Sequence, residues 1–347
     1  MKKIKYILGC IGTALMFSAC SDFLDVATQN GLDPDQANDA ERFCNAAYAS
    51  LMNQRDVKLW AWGDVRSDDA YKGGGGTNDG YTEHCYETGT HIVTTFNEPD
   101  GYWFAQYCGI SRVNTALNAL NLVSEKEFPN KVTRQAEMRF LRGHFYFLLK
   151  ILFKNIPFVD ETVPEHQYQY ISNVALTDVE MWDKIIEDFK FAFDNLPEKQ
   201  ADLGRANKYA AAAYLAKANL YKAYRQNEKY EVTSIDAGDL EEVVKYTGEV
   251  LKSSYGLETD FAYNFMPEFE NGKESIFAIQ FSKDDGTMFG NLNFADFLSV
   301  PQGLGCCDFH KPSQNLVNAF KTSKGLPMFK MTNGVYSENY DIANYSE

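Results

Sequence analysis

Between residues 134 and 161 the chain reads RQAEMRFLRGHFYFLLKILFKNIPFVDE, and few architectures accommodate such a segment. Phe140, Leu141, Phe147, Leu148, Ile151 and Leu152 recur at the three- and four-residue steps that fall on one side of an α-helix. Arg134, Glu137, Arg139 and Arg142 are expected to keep the first turns in water, and Pro157 closes the element because its ring removes an amide donor. The apolar core spans only about eleven residues, against about 20 for a bilayer crossing, and it carries His144 and Lys150. It therefore predicts a helix buried among other helices.

Partners for it are written on both sides. Upstream, PDQANDAERFCNAAYASL places Ala40, Phe43, Ala47 and Leu51 on one helical face, and YWFAQYCGISRVNTALNALNLV does the same with Trp103, Tyr107, Ile110, Val113, Leu117 and Leu120. Downstream, Thr177 and Glu180 have capping-box spacing, in which each side chain satisfies a free backbone N–H at a helix start. Trp182, Ile185, Ile186, Phe189, Phe193 and Leu196 then line one face up to Pro197. NKYAAAAYLAKANLYKAY is alanine-rich, which lets helices approach closely. DLEEVVKYTGEVLKSSYGL has Asp239 and Glu242 at capping-box spacing and is expected to bury Leu240, Val243, Val244, Thr247, Val250 and Leu251. Successive helical pairs of this kind look like tetratricopeptide repeats. Phe189, Ala192 and Pro197 in the first pair, and Ala213, Leu215 and Ala216 in the second, fall at the repeat's aromatic, small and closing positions, though the connections are longer than its standard length. The expected fold class is mostly α: a tetratricopeptide-repeat-like helical superhelix with loop-rich and minor β additions, a plain helical bundle being the alternative.

Other stretches read differently. Lys58–Asp100, with four consecutive glycines at 73 to 76, reads as a long surface excursion. ESIFAIQFS alternates like a strand, the segment from Asp284 to Pro312 reads as loop, and PSQNLVNAF as a short helix with Leu316, Val317 and Phe320 inward. At the amino terminus Lys2, Lys3 and Lys5 precede an apolar run and the small residues of FSAC, the order of an export signal over 1–19. Cleavage after Ala19 would leave Cys20 as the acceptor for a lipid anchor; FSAC resembles a lipobox, with Phe17 where that pattern usually has Leu.

Composition removes several classes of function. The formal net charge is −15 and no Lys/Arg-rich run occurs, which argues against nucleic acid as a partner. The cysteines remaining beyond Cys10 and Cys20 are Cys44, Cys85, Cys108, Cys306 and Cys307; their spacing suits neither zinc nor a disulfide framework, and the adjacent pair reads as two small buried side chains rather than a strained bridge. His84, His91, His144, His166 and His310 show no metal or triad spacing, and His144 reads as a satisfied core residue. KGGGGTNDG lacks the Gly-Lys-Ser/Thr ending of a phosphate loop, and no serine sits in a nucleophile elbow. Neighbouring aspartates at 68 and 69 point opposite ways on an extended chain and do not define a glycosidase gap. No enzyme activity, cofactor or metal is expected.

CSDFLD after the leader, WAWGDVRSDDAYKGGG, YCGISRVNTALNAL, AEMRFLRGHFYFLLKILFKNIPFVDE, GRANKYAAAAYLAKANLYKAY, YGL and PSQNLVNAF occur in the order in which they stand in the SusD/RagB outer-membrane lipoproteins of Bacteroidetes, which this sequence resembles from Cys20 to roughly Phe329. The resemblance implies a surface lipoprotein, acylated (palmitate among the chains) at Cys20, that captures a glycan or oligosaccharide and passes it to a SusC-like TonB-dependent outer-membrane transporter. Asp22 and Asp25 resemble the surface-export tag of such lipoproteins. It also implies an amino-terminal SusD-like domain over 20–230 with the helical repeats, and a last repeat helix plus the start of a carboxy-terminal domain over 231–347; since relatives continue further, part of that second domain is expected to be missing. Asp68, Asp69 and Tyr71, in the loop matching SDDAYKGG, are the ligand-binding candidates, because sugars present C–H faces to aromatics and hydroxyl edges to carboxylates. Trp60 and Trp62 read as core. Where relatives supply another aromatic, this chain has Leu304 and Gly305, with Phe289 and Asn291 as substitutes. The alternatives are a helical-repeat scaffold without a small ligand and a surface glycoside hydrolase.

Overall fold

The computed structural model describes residues 39–51, 59–90, 98–281 and 307–320, with short backbone pairings from 322 to 336. Cys10, Cys20, Asp22, Asp25, His91, Phe289, Asn291, Leu304, Gly305 and Cys306, and with them the export signal and the anchor, lie outside the described residues. The helices are α1 (Ala40–Ala49), α2 (Tyr81–Thr88), α3 (Glu98–Leu122), α4 (Lys131–Phe153), α5 (Asp178–Asn195), α6 (Lys208–Ala223), α7 (Ala237–Leu251) and α8 (Gln314–Phe320). The longer strands are β1 (Ala70–Gly73), β2 (Tyr224–Gln226), β3 (Val232–Ile235) and β4 (Phe309–Pro312).

From α3 to α7 each helix packs on the next, and α1 lies against α3 and α4. The protein is thus mostly α, a repeat-like stack, and α4 sits in its middle. Phe140, Leu141, Phe145, Tyr146, Phe147 and Leu149 of α4 are all buried in one continuous core with Ile110, Leu120, Ile185, Phe189 and Leu215. Each such side chain contributes about 1.5–3 kcal/mol on leaving water. Close approach is built in at Gly143, where a Cβ would meet the Phe189 ring at 2.8 Å. The capping box at the start of α5 is formed: Thr177 accepts from the Glu180 amide, and Glu180 Oε2 accepts from Thr177 N–H at 2.8 Å.

Several expectations need correction. Glu137 and Arg142 are not in water: Glu137 is fully buried and Arg142 only 2% exposed. A helix covered on several sides has no wet face for them, so they are paired instead. Arg142 donates to Asp188 through Nε at 2.7 Å and Nη2 at 2.8 Å, to Asn114 at 3.1 Å, and to Glu161. Glu137 receives Arg134 at 2.6 Å and Arg205 at 2.8 Å. Helix α7 begins earlier than the Asp239/Glu242 spacing suggests: Asp236 is its cap, accepting from the Asp239 amide at 3.0 Å, and Asp239 instead pairs with Arg225 at 2.6 Å and Lys222 at 3.1 Å. Val244 and Leu251 of α7 are 72% and 84% exposed, and Tyr246 is its buried aromatic.

Residues 276–281 form no strand; Ile276, Phe277 and Ile279 pack against the core, with no strand alongside among the described residues. In α8 it is Asn318 that is buried, while Phe320 is 75% exposed. Cys307 is half-buried and disulfide-bonded rather than a simple buried thiol. Cys44, Cys85 and Cys108 are free thiols. Burial, then Glu41 and Glu137, pushes the Cys44 thiol up to about 12, so it is inert at neutral pH. His144 is a satisfied core residue, its Nδ1 within 2.6 Å of the Tyr214 hydroxyl.

Candidate functional site

The segment from 59 to 90 is more ordered in its secondary structure than a surface excursion. A π-turn over Ala61–Val65 leads through a turn into β1, a glycine-rich bend follows, and α2 closes the unit. β1 pairs antiparallel with β4, about 240 residues later in the chain, with Ala70 opposite Pro312, Tyr71 opposite Lys311 and Gly73 opposite Phe309. That pairing corrects the reading of 309–312 as loop. Strand alternation decides what each β1 side chain does. Ala70 and Lys72 turn inward, at 4% and 5% exposure, and Tyr71 turns outward at 49%.

The buried lysine explains the glycines. Lys72 Nζ donates to the carbonyl oxygens of Gly73 (2.9 Å), Gly76 (2.8 Å) and Asp79 (2.7 Å), which uses all three of its protons and curls the loop around the ammonium. Asp79 accepts from the Gly75 amide at 2.6 Å. Gly73, at φ 74°, lies so close to β4 that a Cβ would sit 2.0 Å from the Asp308 carbonyl oxygen. The reading of KGGGG as a loop missed this hub; a lone lysine beside a glycine run is its sequence trace.

Asp68 and Asp69 stand at the entry to β1 and both are exposed. Asp68 holds a left-handed backbone, φ 64°. Its carbonyl accepts the Ser313 hydroxyl at 2.5 Å, and the Asp69 carbonyl accepts the Ser313 amide at 2.9 Å, so the start of α8 clamps both backbones. The Asp69 carboxylate accepts from the Ser67 hydroxyl at 3.1 Å, whereas the Asp68 carboxylate has no partner among the described residues. The three sequence-predicted residues are therefore neighbours on one exposed rim, two carboxylates beside one tyrosine ring, on a backbone fixed from two sides.

Behind the rim lies an aromatic wall. Trp60 stacks on His310 at 4.8 Å between ring centroids, and His310 Nε2 lies 2.7 Å from Asp64 Oδ2. Trp62 packs against Tyr86, Tyr102 and Phe153 at 5.5–5.9 Å. Both tryptophans are half-buried packing residues, as the sequence suggests. Among the described residues no group of His, Cys, Asp and Glu is arranged to hold a metal ion.

Residues 22–220 match a family profile, SusD-like_3, described as starch-binding associating with outer membrane. The chain belongs to the SusD-like family. A SusD-like protein of Bacteroides ovatus is 27% identical over 329 residues, covering 90% of this chain and 57% of the relative. A SusD-like protein P2 of Formosa agariphila is 29% identical over 226 residues, 61% of this chain and 42% of its own length. The chain thus spans about half the length of these curated relatives. Among solved structures, a SusD-like protein from Bacteroides fragilis superposes with a TM-score of 0.61 at 20% identity, over 85% of this chain and 54% of that one. The surface glycan-binding protein A of Bacteroides thetaiotaomicron, solved with laminarihexaose, gives 0.57 at 22% identity over 70% and 49%. These likenesses establish the SusD-like helical fold for the chain.

Proposed function

We propose that the chain is a surface-exposed outer-membrane lipoprotein, anchored through acylated Cys20, that captures a glycan or oligosaccharide and delivers it to a SusC-like TonB-dependent transporter. The observation that carries the reading is the family match over 22–220 together with a fold shared with a protein solved on laminarihexaose. The geometry supports it at the rim. Tyr71 offers a half-exposed ring to a sugar's C–H face, and the Asp68 and Asp69 carboxylates accept from its hydroxyls. A clamped backbone lowers the ordering cost of binding. In this reading 20–230 supplies the repeat scaffold and the rim, 231–347 adds the last repeat helix and the start of a second domain, and more than one acyl chain secures the anchor. The role needs no catalytic step.

Three experiments test it. Native electrophoresis through gels containing a panel of polysaccharides is expected to retard the protein in at least one; no retardation in any would leave the helical-repeat scaffold as the better reading. Incubation with the retarding polysaccharide is expected to release no reducing sugar, and release would move the protein to the hydrolases. For location, Cys20→Ala is expected to shift the protein from the membrane to the soluble fraction, and unchanged membrane attachment would contradict the anchor.

A further inference from the structure

A second pocket lies far along the chain from the rim. It has a volume of about 130 Å³ and is lined by the end of α4, the start of α5, the end of α6 and the β2–β3 hairpin. Its floor is Trp182, 4% exposed, and Tyr221, Tyr224 and Tyr230 stand around it at 45%, 41% and 65% exposure. Three half-open tyrosines around one small cavity are costly surface for a chain with no use for them.

The polar groups are left incomplete in a particular way. Lys150 is buried, and its ammonium donates to Asp178 Oδ1 at 2.5 Å and to the Lys154 carbonyl at 2.6 Å. An ammonium has three protons, and the third has no oxygen or nitrogen acceptor among the described residues; the ammonium faces the Trp182 ring, 5.8 Å from its centroid. Nor do the hydroxyls of Tyr221, Tyr224 and Tyr230 or the Gln226 amide have a hydrogen-bond partner among the described residues. Lys154 brings a second ammonium to the wall, 4.2 Å from the Tyr230 ring centroid and 2.8 Å from the Asn227 carbonyl.

The backbone that delivers Lys154 is strained. α4 ends on Lys154 at φ 58°, ψ −62°, and the Asn155 amide bonds to the Phe153 carbonyl at 2.7 Å, a three-residue γ-turn with its central φ positive. A non-glycine residue persists there only when surrounding structure holds it, and such strain gathers at functional sites. Here the strained turn points the Lys154 carbonyl at one ammonium and places the other over the hairpin.

We propose that this pocket is a second saccharide subsite, one that takes a single terminal sugar ring bearing a carboxylate, a uronic acid, with its C–H face against the tyrosine rings and its carboxylate toward Lys150. The volume is well below the roughly 300–1,000 Å³ of a drug-sized site, the scale of a single seated ring. Free hydroxyls and an amide suit ring hydroxyls, and aromatic walls suit the ring's apolar face. Two lysines against the one carboxylate of Asp178 select an acidic sugar over a neutral one, in a chain whose net charge of −15 otherwise repels anions. The glycan-capture reading lends the ligand class, and the site itself is independent of the rim.

Glucuronate and glucose, titrated separately into the full chain and followed by calorimetry and saturation-transfer NMR, test the subsite. Glucuronate is expected to bind at least tenfold more tightly than glucose. Tyr224→Ala and Gln226→Ala, both on the exposed hairpin, are each expected to weaken glucuronate at least fivefold, and Leu122→Ala, exposed at the end of α3, to leave it unchanged. Glucuronate binding that both hairpin variants retain in full, a preference for glucose, or a pocket filled only by an acidic peptide overturns the proposal. Polysaccharide retardation that depends on Tyr71 and survives Tyr224→Ala, with no glucuronate binding, removes the subsite and leaves the capture reading standing.

Discussion

Removing Asp188 is the perturbation that most sharply tests how this stack is held. Arg142 is 2% exposed and Asp188 1%, and the two share a bidentate contact at 2.7 and 2.8 Å, with Arg139 adding a third bond at 3.0 Å. Burial alone would disfavour the charged guanidinium; the Asp188 and Glu161 carboxylates reverse that and hold its pKa above the ordinary arginine range. Breaking a buried pair from one side costs about 3–5 kcal/mol, since an uncompensated charge stays inside. In Asp188→Ala the guanidinium keeps Glu161 and Asn114, which places the loss near the lower end, about 3 kcal/mol. At roughly 2–4 °C per kcal/mol the melting temperature falls by about 6–12 °C. Circular dichroism melts of wild type, Asp188→Ala and the double variant Arg142→Met/Asp188→Leu read it out. The double variant should recover part of the loss, because the buried guanidinium is gone and Glu161 still faces Arg139 at 3.7 Å. A single variant that melts within about 1 °C of wild type, or a double variant worse than the single, refutes the argument.

Other perturbations follow from the same contacts. Gln106 is fully buried with neither amide oxygen nor nitrogen bonded among the described residues, so Gln106→Met should stabilise by about 1–2 kcal/mol in urea unfolding; a loss of stability would show that the amide has a role. Burial, and secondarily the charge of Lys217, lowers His144 from 6.5 to about 4. The unfolded chain then binds the extra proton between those values, so the stability from neutral His144 is complete above pH 6.5 and is lost as pH falls toward 4, about 3 kcal/mol in all. His144→Phe should flatten that part of the stability–pH curve, and an unchanged slope would contradict the assignment. Gly73→Ala forces a side chain at φ 74° onto the Asp308 carbonyl, so hydrogen exchange at the Gly74 amide, bonded to that carbonyl at 3.1 Å, should accelerate at least tenfold; wild-type protection would mean β1 and β4 are not locked there.

Helix positions were legible because apolar residues at helical spacing must find a core, and Thr177/Glu180 marks the start of α5, whereas the same spacing at Asp239/Glu242 lies inside α7. What pairs across the chain was not. Nothing local to Arg142 announces Asp188, and outward-facing charge is the ordinary reading of Arg139 and Arg142 ahead of an apolar run. Residues 276–281 alternate like a strand, but that pattern only offers two faces, and here Ile276, Phe277 and Ile279 all pack against helices. FHKP has no alternation and its partner AYKG lies far upstream, so β4 carried no strand signal. Within the site, the exposed rim of Asp68, Asp69 and Tyr71 was placed by likeness to a family loop. The hub that shapes it, Lys72 with three carbonyls, became visible only in three dimensions.

Calorimetric titration of the polysaccharide that most retards the protein, against wild type and the variant Asp68→Ala/Asp69→Ala/Tyr71→Ala, puts the question of capture at this rim most directly. All three side chains are exposed, so the variant should fold, with only the roughly 1–2 kcal/mol loss that alanine brings at the left-handed Asp68 backbone. The account predicts a saturable wild-type isotherm and at least a tenfold loss of affinity in the variant. Undiminished affinity in a folded variant would place the glycan elsewhere on the molecule.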